Sequence, residues 1–168
     1  MRDIYHLNLA SPKYTNIISC VSHTYFSGLV HCVFSTKERR NLISQELQPK
    51  LWAYLGGIAR KNGMRALAIG GTENHVHVLL SLSPTMPVAK AVQLLKGGSS
   101  KWLHESGVKL FAWQEGYGAF TIGTSHMRQT ITYIAQQRQH HAKRPFEAEF
   151  IAFLRKHGIE YDAKYIWG

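Results

Sequence analysis

The sequence predicts a single α+β domain in which an antiparallel sheet is covered by helices. Three observations carry this reading. Short runs of β-forming residues alternate apolar and polar side chains, longer runs repeat apolar residues at spacings of three and four, and the two kinds follow a definite order. That order is strand, helix, strand, strand, helix, strand, with two more helices behind it. It is the split βαβ, ferredoxin-like plan with C-terminal additions. At 168 residues the chain suits one domain, burying roughly 70% of the surface exposed by its unfolded form. There is no internal repeat and no dividing linker. Residues 1–21 are mixed in character, carry Ser11-Pro12, and read as a poorly ordered extension ahead of one domain over 22–168.

Thr24 to Thr36 reads as the first strand, rich in β formers such as Tyr25, Phe26, Val30, Val33 and Phe34. It runs into a basic turn, Lys37-Glu38-Arg39-Arg40. Gln45 to Asn62 is a helix with Leu47, Leu51, Tyr54, Leu55 and Ile58 on one stripe, Ser44 as its N-cap and Gly63 as its stop. Met64 to Gly70 is a short strand, and Gly70-Gly71 turns the chain into a third strand over 74–82. There Val76, Val78, Leu80 and Leu82 share one parity, as in a half-buried strand. Ser83-Pro84-Thr85-Met86-Pro87 breaks the chain before a helix from Val88 to His104. Gly97-Gly98 inside it costs about 1 kcal/mol each relative to alanine, which calls for a kink or a close approach by another backbone. Phe111 to Thr121 reads as a strand interrupted at Gly116 and Gly118. A third helix opens after Thr124-Ser125 and runs to about His141, packing through Met127, Ile131 and Ile134. A last helix spans Pro145 to His157, with Phe146, Phe150, Ile151 and Leu154 inward, before an aromatic tail that docks.

Lysine and arginine total 20 against 10 acidic residues, a net charge of +10. Such an excess favours a polyanionic partner, because each neutralised phosphate releases counterions; a merely basic protein is the plainer alternative. Cys20 and Cys32 form neither a disulfide framework nor a zinc pattern, so reduced thiols and a cytoplasmic setting are expected. No apolar run approaches the ~18 residues of a membrane helix, and residues 1–21 lack the apolar core of a signal peptide.

His75 and His77 flank Val76 on the third strand. Residues two apart on a strand project from one face, so the two imidazoles can serve one metal ion; two surface histidines are the plainer alternative. On the third helix Tyr133, Gln137 and His140 lie along one face, presenting a phenol and an amide together. Taken with Asn74-His75-Val76-His77, Val33-Phe34-Ser35-Thr36-Lys37, Trp52-x-Tyr54-Leu55-Gly56-Gly57-Ile58, Leu95-Lys96-Gly97-x-Ser99-Ser100, Trp113-Gln114-Glu115-Gly116-Tyr117-Gly118-Ala119-Phe120 and Tyr133-Ile134-x-x-Gln137, the chain from Ser22 to Trp167 resembles the single-tyrosine HUH transposases of bacterial insertion sequences. It resembles equally their relatives associated with repetitive extragenic palindromes.

The resemblance implies that His75, His77 and Gln137 bind a divalent cation, Mg²⁺ or Mn²⁺, and that Tyr133 is the nucleophile. It implies a ferredoxin-like fold and a homodimer, in which the tyrosine helix of one subunit can complete the histidine pair of the other. Its substrate would be single-stranded DNA carrying a hairpin, cut and rejoined through a 5′-phosphotyrosine. Lys37, Arg39, Arg40, Lys96, Lys101 and Arg138 are the candidate phosphate contacts. Two rivals stay open. A histidine-triad nucleotide hydrolase would need a third histidine where Leu79 stands. A non-catalytic nucleic-acid-binding module would leave His75 and His77 merely exposed.

Overall fold

The structure, a computed structural model, describes residues 25–141, 145–164 and 166–167; the expected extension over 1–21 and the first residue of the expected strand, Thr24, lie outside them. The strands are β1 (Gly28–Ser35), β2 (Arg65–Gly71), β3 (His75–Leu82) and β4 (Gly118–Thr121). The helices are α1 (Gln48–Lys61), α2 (Val88–Glu105), α3 (Met127–Ala135), α4 (Gln137–His141) and α5 (Phe146–Lys156), with short 3-10 turns at Lys37–Arg39 and Thr124–His126. The sheet order is β2-β3-β1-β4, with every neighbouring pair antiparallel. This is the ferredoxin-like arrangement expected from the element order.

The sheet is buried on both faces. On the first, Val30, Cys32 and Phe34 of β1 and Val76, Val78, Leu80 and Leu82 of β3 meet Leu51, Leu55 and Ala59 of α1 and Val92, Leu95 and Leu103 of α2. On the second, Val33 and Phe120 meet Phe146 and Leu154 of α5, with Phe150, Phe153 and Trp167 packed around them. β3 is therefore not the half-buried strand expected from its alternation: seven of its eight residues are buried. Its second parity carries imidazoles rather than aliphatics, and a period-two test reads imidazoles as a solvated face.

Local chemistry accounts for both ends of α1. The first turn of α1 contains Pro49, whose missing N–H costs nothing there, so the helix begins at Gln48 rather than Gln45, and Leu47 rather than Ser44 precedes it. Gly63 takes a left-handed φ of 70°, and the Met64 N–H donates back to the Ala59 carbonyl, closing α1 as expected. β2 continues through Gly71, and the turn falls on Thr72 to Asn74. The aromatic run over 111–121 is mostly not strand. Trp113 makes one isolated bridge to Thr36, and the next residues are tied instead to Lys96, whose ammonium donates to the carbonyls of Gln114 at 2.6 Å and Gly116 at 2.8 Å. Gly98 explains itself: a β-carbon there would lie 2.8 Å from Cδ1 of Ile58, so α1 and α2 approach through it. Nothing in the structure explains Gly97.

Candidate active site

The central strand β3 and its neighbours set the site. Ser35 pairs with His75 and Val33 with His77, while Gly70 of β2 pairs with His77 from the other side. The tyrosine-bearing helix α3 lies over β2. Ile134, buried, seats its carbonyl oxygen and Cγ2 directly over Gly70, where any β-carbon would collide with them. Glycine is required here by contact rather than by a turn. α3 then breaks. Gln136 departs from helical geometry at φ −103°, ψ 17°, so the single helix expected to His141 is two, and α4 starts with a new phase. The amide of Gln137 turns inward, 1% exposed. His141 follows it in, whereas His140, expected on the same face as Tyr133 and Gln137, stays exposed beside Tyr133 with ring centroids 4.9 Å apart.

The donors converge. His75 and His77 are wholly buried, their rings 5.1 Å apart and nearly perpendicular. His75 Nε2 lies 3.3 Å from Gln137 Oε1. His75 Nδ1 lies 2.7 Å from Asn74 Oδ1 and 3.0 Å from the Thr72 hydroxyl. The Asn74 oxygen can only accept, so Nδ1 carries the proton and the Nε2 lone pair faces the amide oxygen. Two facing acceptors need a cation or a proton between them, and outer partners that fix a tautomer in this way are usual around metal ligands. His77 Nδ1 contacts His31 Nε2 at 3.0 Å, so His31 of β1 orients His77 in the same manner when Nδ1 bears the proton. Tyr133 is half-buried, its ring 5.8 Å from that of His77 and 6.2 Å from that of His31, edge to face with both. Tyrosine, imidazoles and amide thus gather within one chain.

Three residues went unnoticed in the sequence. His31 lies within a run of β formers, which masks it. His141 gives no signal of its own, because continuous helical phase puts His140 on the face of Tyr133 and Gln137. Glu149 stands on α5 between Phe146 and Phe153, a lone carboxylate on an aromatic stripe, and that was a usable signal. Its Oε2 lies 3.5 Å from His77 Nε2 and 3.2 Å from His141 Nε2, and its Oε1 accepts from Gln137 Nε2 at 3.4 Å. Around it α5 presses aromatic rings onto the site: Phe146 stacks on His75 at 4.4 Å and Phe153 meets His31 at 5.2 Å.

Burial dominates the electrostatics. It drives the pKa of His77 down to about 3, helped by His141 and His140, and that of His31 to about 2, helped by His77 and His157. His75 is lowered well below its ordinary value by the same burial, then by His77 and His141. All three are neutral at pH 7 and can act as ligands. Burial pushes the Glu149 carboxyl up to about 8. His77 Nε2 and Glu149 Oε2 make no hydrogen bond among the described residues. Buried polar atoms are seldom left so, and His75, His77, His141 and Glu149 place ligand atoms within 4.8 Å of one another. The donor set fits a divalent cation.

The basic residues divide. Strand register sets the Lys37–Arg40 turn beside the site, the Thr36 N–H donating to the Asn74 carbonyl at 2.9 Å. Glu38 and Arg39 there hold left-handed φ values of 57° and 54°, unusual for non-glycine residues. Lys37 and Arg40 are exposed. Arg39 pairs with Glu147 at 2.9 Å and lies over the Trp167 ring at 4.9 Å, so it helps dock the tail. Lys96 is engaged with its two carbonyls. Arg138 donates to Gln48 at 3.2 Å, and Lys101 lies 3.9 Å from Glu105 on an exposed face. No described helix is long and apolar enough to cross a membrane.

Comparison with known proteins sharpens this. The chain is 30% identical over 110 residues to the transposase for insertion sequence element IS200 of Salmonella typhimurium, spanning 61% of this chain and 72% of that protein. It is 27% identical over 114 residues to the ISDra2 transposase TnpA of Deinococcus radiodurans, covering 64% and 81%. Among solved structures it shares a fold with a Deinococcus radiodurans protein described as a transposase, with TM-score 0.58, 24% identity, and 71% and 98% of the two chains covered. It also shares one with a REP-associated tyrosine transposase bound to a REP hairpin, with TM-score 0.54, 20% identity and 74% of each chain covered. The family model described as "Transposase IS200 like" matches residues 24–137, from the start of the sheet to the inward-turned glutamine. By that match over two thirds of its length, the chain belongs to the IS200-like transposases, enzymes of DNA transposition.

Proposed function

We propose that this protein cleaves and rejoins single-stranded DNA near hairpins, with Tyr133 as the nucleophile. The observation that carries the reading is the meeting, within one chain, of two neutral buried imidazoles and a carboxamide oxygen with the tyrosine ring. A divalent cation, Mg²⁺ or Mn²⁺, held by His75, His77 and Gln137 would supply the charge that polarises a scissile phosphate. Everything else falls to the chain. Gln137 adds no charge of its own to the site. Asn74 and His31 hold the imidazoles in their ligand tautomers. Exposed His140, its ring 4.9 Å from that of Tyr133, would serve as the base that takes the phenolic proton.

Attack by the phenolate oxygen on phosphorus forms the Tyr133–phosphate ester and breaks the bond to the 3′ oxygen, which leaves as a hydroxyl. The 5′-phosphotyrosine retains a phosphodiester, so another 3′-hydroxyl can reverse the step and join strands without ATP. Water as the attacking group would forfeit that. The net charge of +10, with exposed Lys37 and Arg40 beside the site, supports a polyanionic strand. The REP-hairpin complex of a fold relative supports hairpin recognition. The homodimer implied by family resemblance would add DNA-binding surface, since phenol and imidazoles already meet without a second subunit. With α5 docked the imidazoles are closed to solvent, so a strand reaches them only after α5 withdraws.

The test is metal-dependent cleavage of a single-stranded hairpin substrate. Tyr133→Phe should still retard the DNA in a gel but leave no covalent adduct. His75→Ala should lose cleavage together with Mn²⁺ affinity measured by calorimetry. Continued nicking by Tyr133→Phe would remove the assigned nucleophile. A wild-type protein that shifts DNA yet forms no adduct with any metal would be a binding module.

A further inference from the structure

We infer that Glu149 and His141 are protein ligands of the same metal site, making it a cage closed by the C-terminal helix and selective for a transition metal over Mg²⁺. The inference deepens the proposed function and rests on the metal half of it. The family match ends at Gln137, so these two residues lie outside the matched stretch.

The distances argue for it. His75 Nε2 and His141 Nε2 lie 3.3 Å and 3.1 Å from Gln137 Oε1. His141 Nε2 and His77 Nε2 lie 3.2 Å and 3.5 Å from Glu149 Oε2. Donors about 2.0–2.1 Å from a shared tetrahedral ion stand roughly 3.3–3.4 Å apart, from the usual zinc bond lengths. The ligand atoms of His75, His77, His141 and Glu149 all lie within 4.8 Å of one another, and these four spacings are those of ligands around one centre. They are also the spacings of hydrogen bonds, but two of these atoms, His77 Nε2 and Glu149 Oε2, are buried and form none.

Charge argues for it independently. Glu149 is buried, and its contacts in the cluster are imidazoles and an amide. A buried carboxylate is strongly disfavoured unless a cation or a proton meets it. The aromatic stripe of α5 would be better packed by leucine at this position, so a carboxylate there calls for something to receive it. Three imidazole nitrogens, a carboxylate and an amide suit zinc, cobalt or manganese. Mg²⁺ prefers an octahedral oxygen shell with several waters and is poorly served. Metal binding and docking of α5 then become one equilibrium.

The experiment is titration of the metal-free full chain with Zn²⁺, Mn²⁺ and Mg²⁺ by calorimetry, with hydrogen exchange followed over 146–156. Wild type should bind one Zn²⁺ or Mn²⁺ per chain far more tightly than Mg²⁺, and metal should slow exchange in α5. Glu149→Gln, close in shape but uncharged, should weaken Zn²⁺ and Mn²⁺ binding by roughly 10- to 100-fold or more and abolish the slowing. His141→Ala should do likewise, whereas Glu147→Gln, two residues from Glu149 and paired with Arg39, should bind as wild type. Unchanged affinity in Glu149→Gln alongside loss in His75→Ala would overturn this inference and leave the histidine-pair site standing. Unchanged affinity in both would remove that site itself. Should Glu149→Gln fail to fold, the Co²⁺ spectrum of wild type decides. Intense four- or five-coordinate bands support the cage, and weak octahedral bands overturn it.

Discussion

Gly70→Ala should damage the enzyme without touching any reacting group. A β-carbon at Gly70 would collide with the carbonyl oxygen of Ile134, 3.0 Å from its Cγ2 and 3.2 Å from its carbonyl carbon. Two of these three atoms belong to the α3 backbone, so no rotamer relieves the clash. Restoring ordinary van der Waals separation requires α3 to lift by on the order of 1 Å. Overpacking of this kind costs about 1–3 kcal/mol, a fall in Tm of roughly 2–12 °C for a domain of this size. The functional effect should be larger than the thermal one. Ile134 adjoins Tyr133, and Gln137 follows one turn later, so the lift moves phenol and amide together away from β3. A misplacement near 1 Å costs on the order of 100-fold in rate. Thermal unfolding and single-turnover cleavage of a hairpin substrate are the assays. Wild-type Tm with wild-type cleavage would show that α3 does not work from its seat on β2, and the site described above would not be the working one.

Acid should destabilise the metal-free protein in a definite window. Folding lowers the pKa of His31 to about 2 and of His77 to about 3, and lowers His75 well below its ordinary 6.5. The unfolded chain therefore binds up to three more protons as pH falls below 6.5. Glu149, raised to about 8, works the other way, holding one proton in the folded state between its ordinary 4.5 and 8. Three less one leaves about two, so stability should peak near pH 7 and decline toward pH 4.5 with a slope that reaches roughly 2.7 kcal/mol per pH unit near pH 5. Denaturant melts at pH 7, 6 and 5 check this, and a flat profile would refute the burial of neutral imidazoles. The paired glycines of α2 should part company. Gly97→Ala, facing open space, should stabilise by about 0.5–1 kcal/mol. Gly98→Ala, meeting Ile58, should lose that gain or reverse it, and equal urea midpoints for the two would sink the argument.

The first face of the sheet was legible because it is aliphatic. Val76, Val78, Leu80 and Leu82 announce a strand, Leu47, Leu51, Leu55 and Ile58 recur at helical spacing, and element order then leaves the ferredoxin-like plan with little competition. The second face was harder to read. His75 and His77 stood out as a pair, yet their alternation with valine suggested a solvated side, because nothing local tells an imidazole facing water from one beneath a distant helix. The i, i+4 spacing of Tyr133 and Gln137 predicted one helical face, and the structure brings both to the site across a break at Gln136. The break at Gln136, which exchanges His140 for His141, has no marker in composition. The aromatic run at 111–121 misled for a related reason: β propensity measures how well a side chain suits a pleated surface. Trp113 meets that need through one bridge and a hydrogen bond to Ser99 at 3.0 Å, without a continuous strand.

The two faces divide the labour of the fold, and that division bears on how the enzyme could open. The first face holds an aliphatic core contributed by both strands and two long helices, and its disruption is global unfolding. The second is sparse in aliphatics. Of α5, Phe146 and Leu154 are buried hydrophobics, and its hold otherwise includes ring contacts, the Arg39–Glu147 pair and the Glu149 cluster. Segments with few buried apolar contacts open at a free energy well below that of the whole domain. α5 can therefore leave while the sheet, α1, α2 and the seat of α3 on Gly70 remain intact. Burying imidazoles beneath α5 keeps them neutral, and the same covering closes them to solvent. The strand transfer proposed above would gain from a site whose cover is tied to the residues proposed as its ligands. The Tyr133 helix needs no such mobility, and its contact through a glycine, backbone against strand, holds it in place.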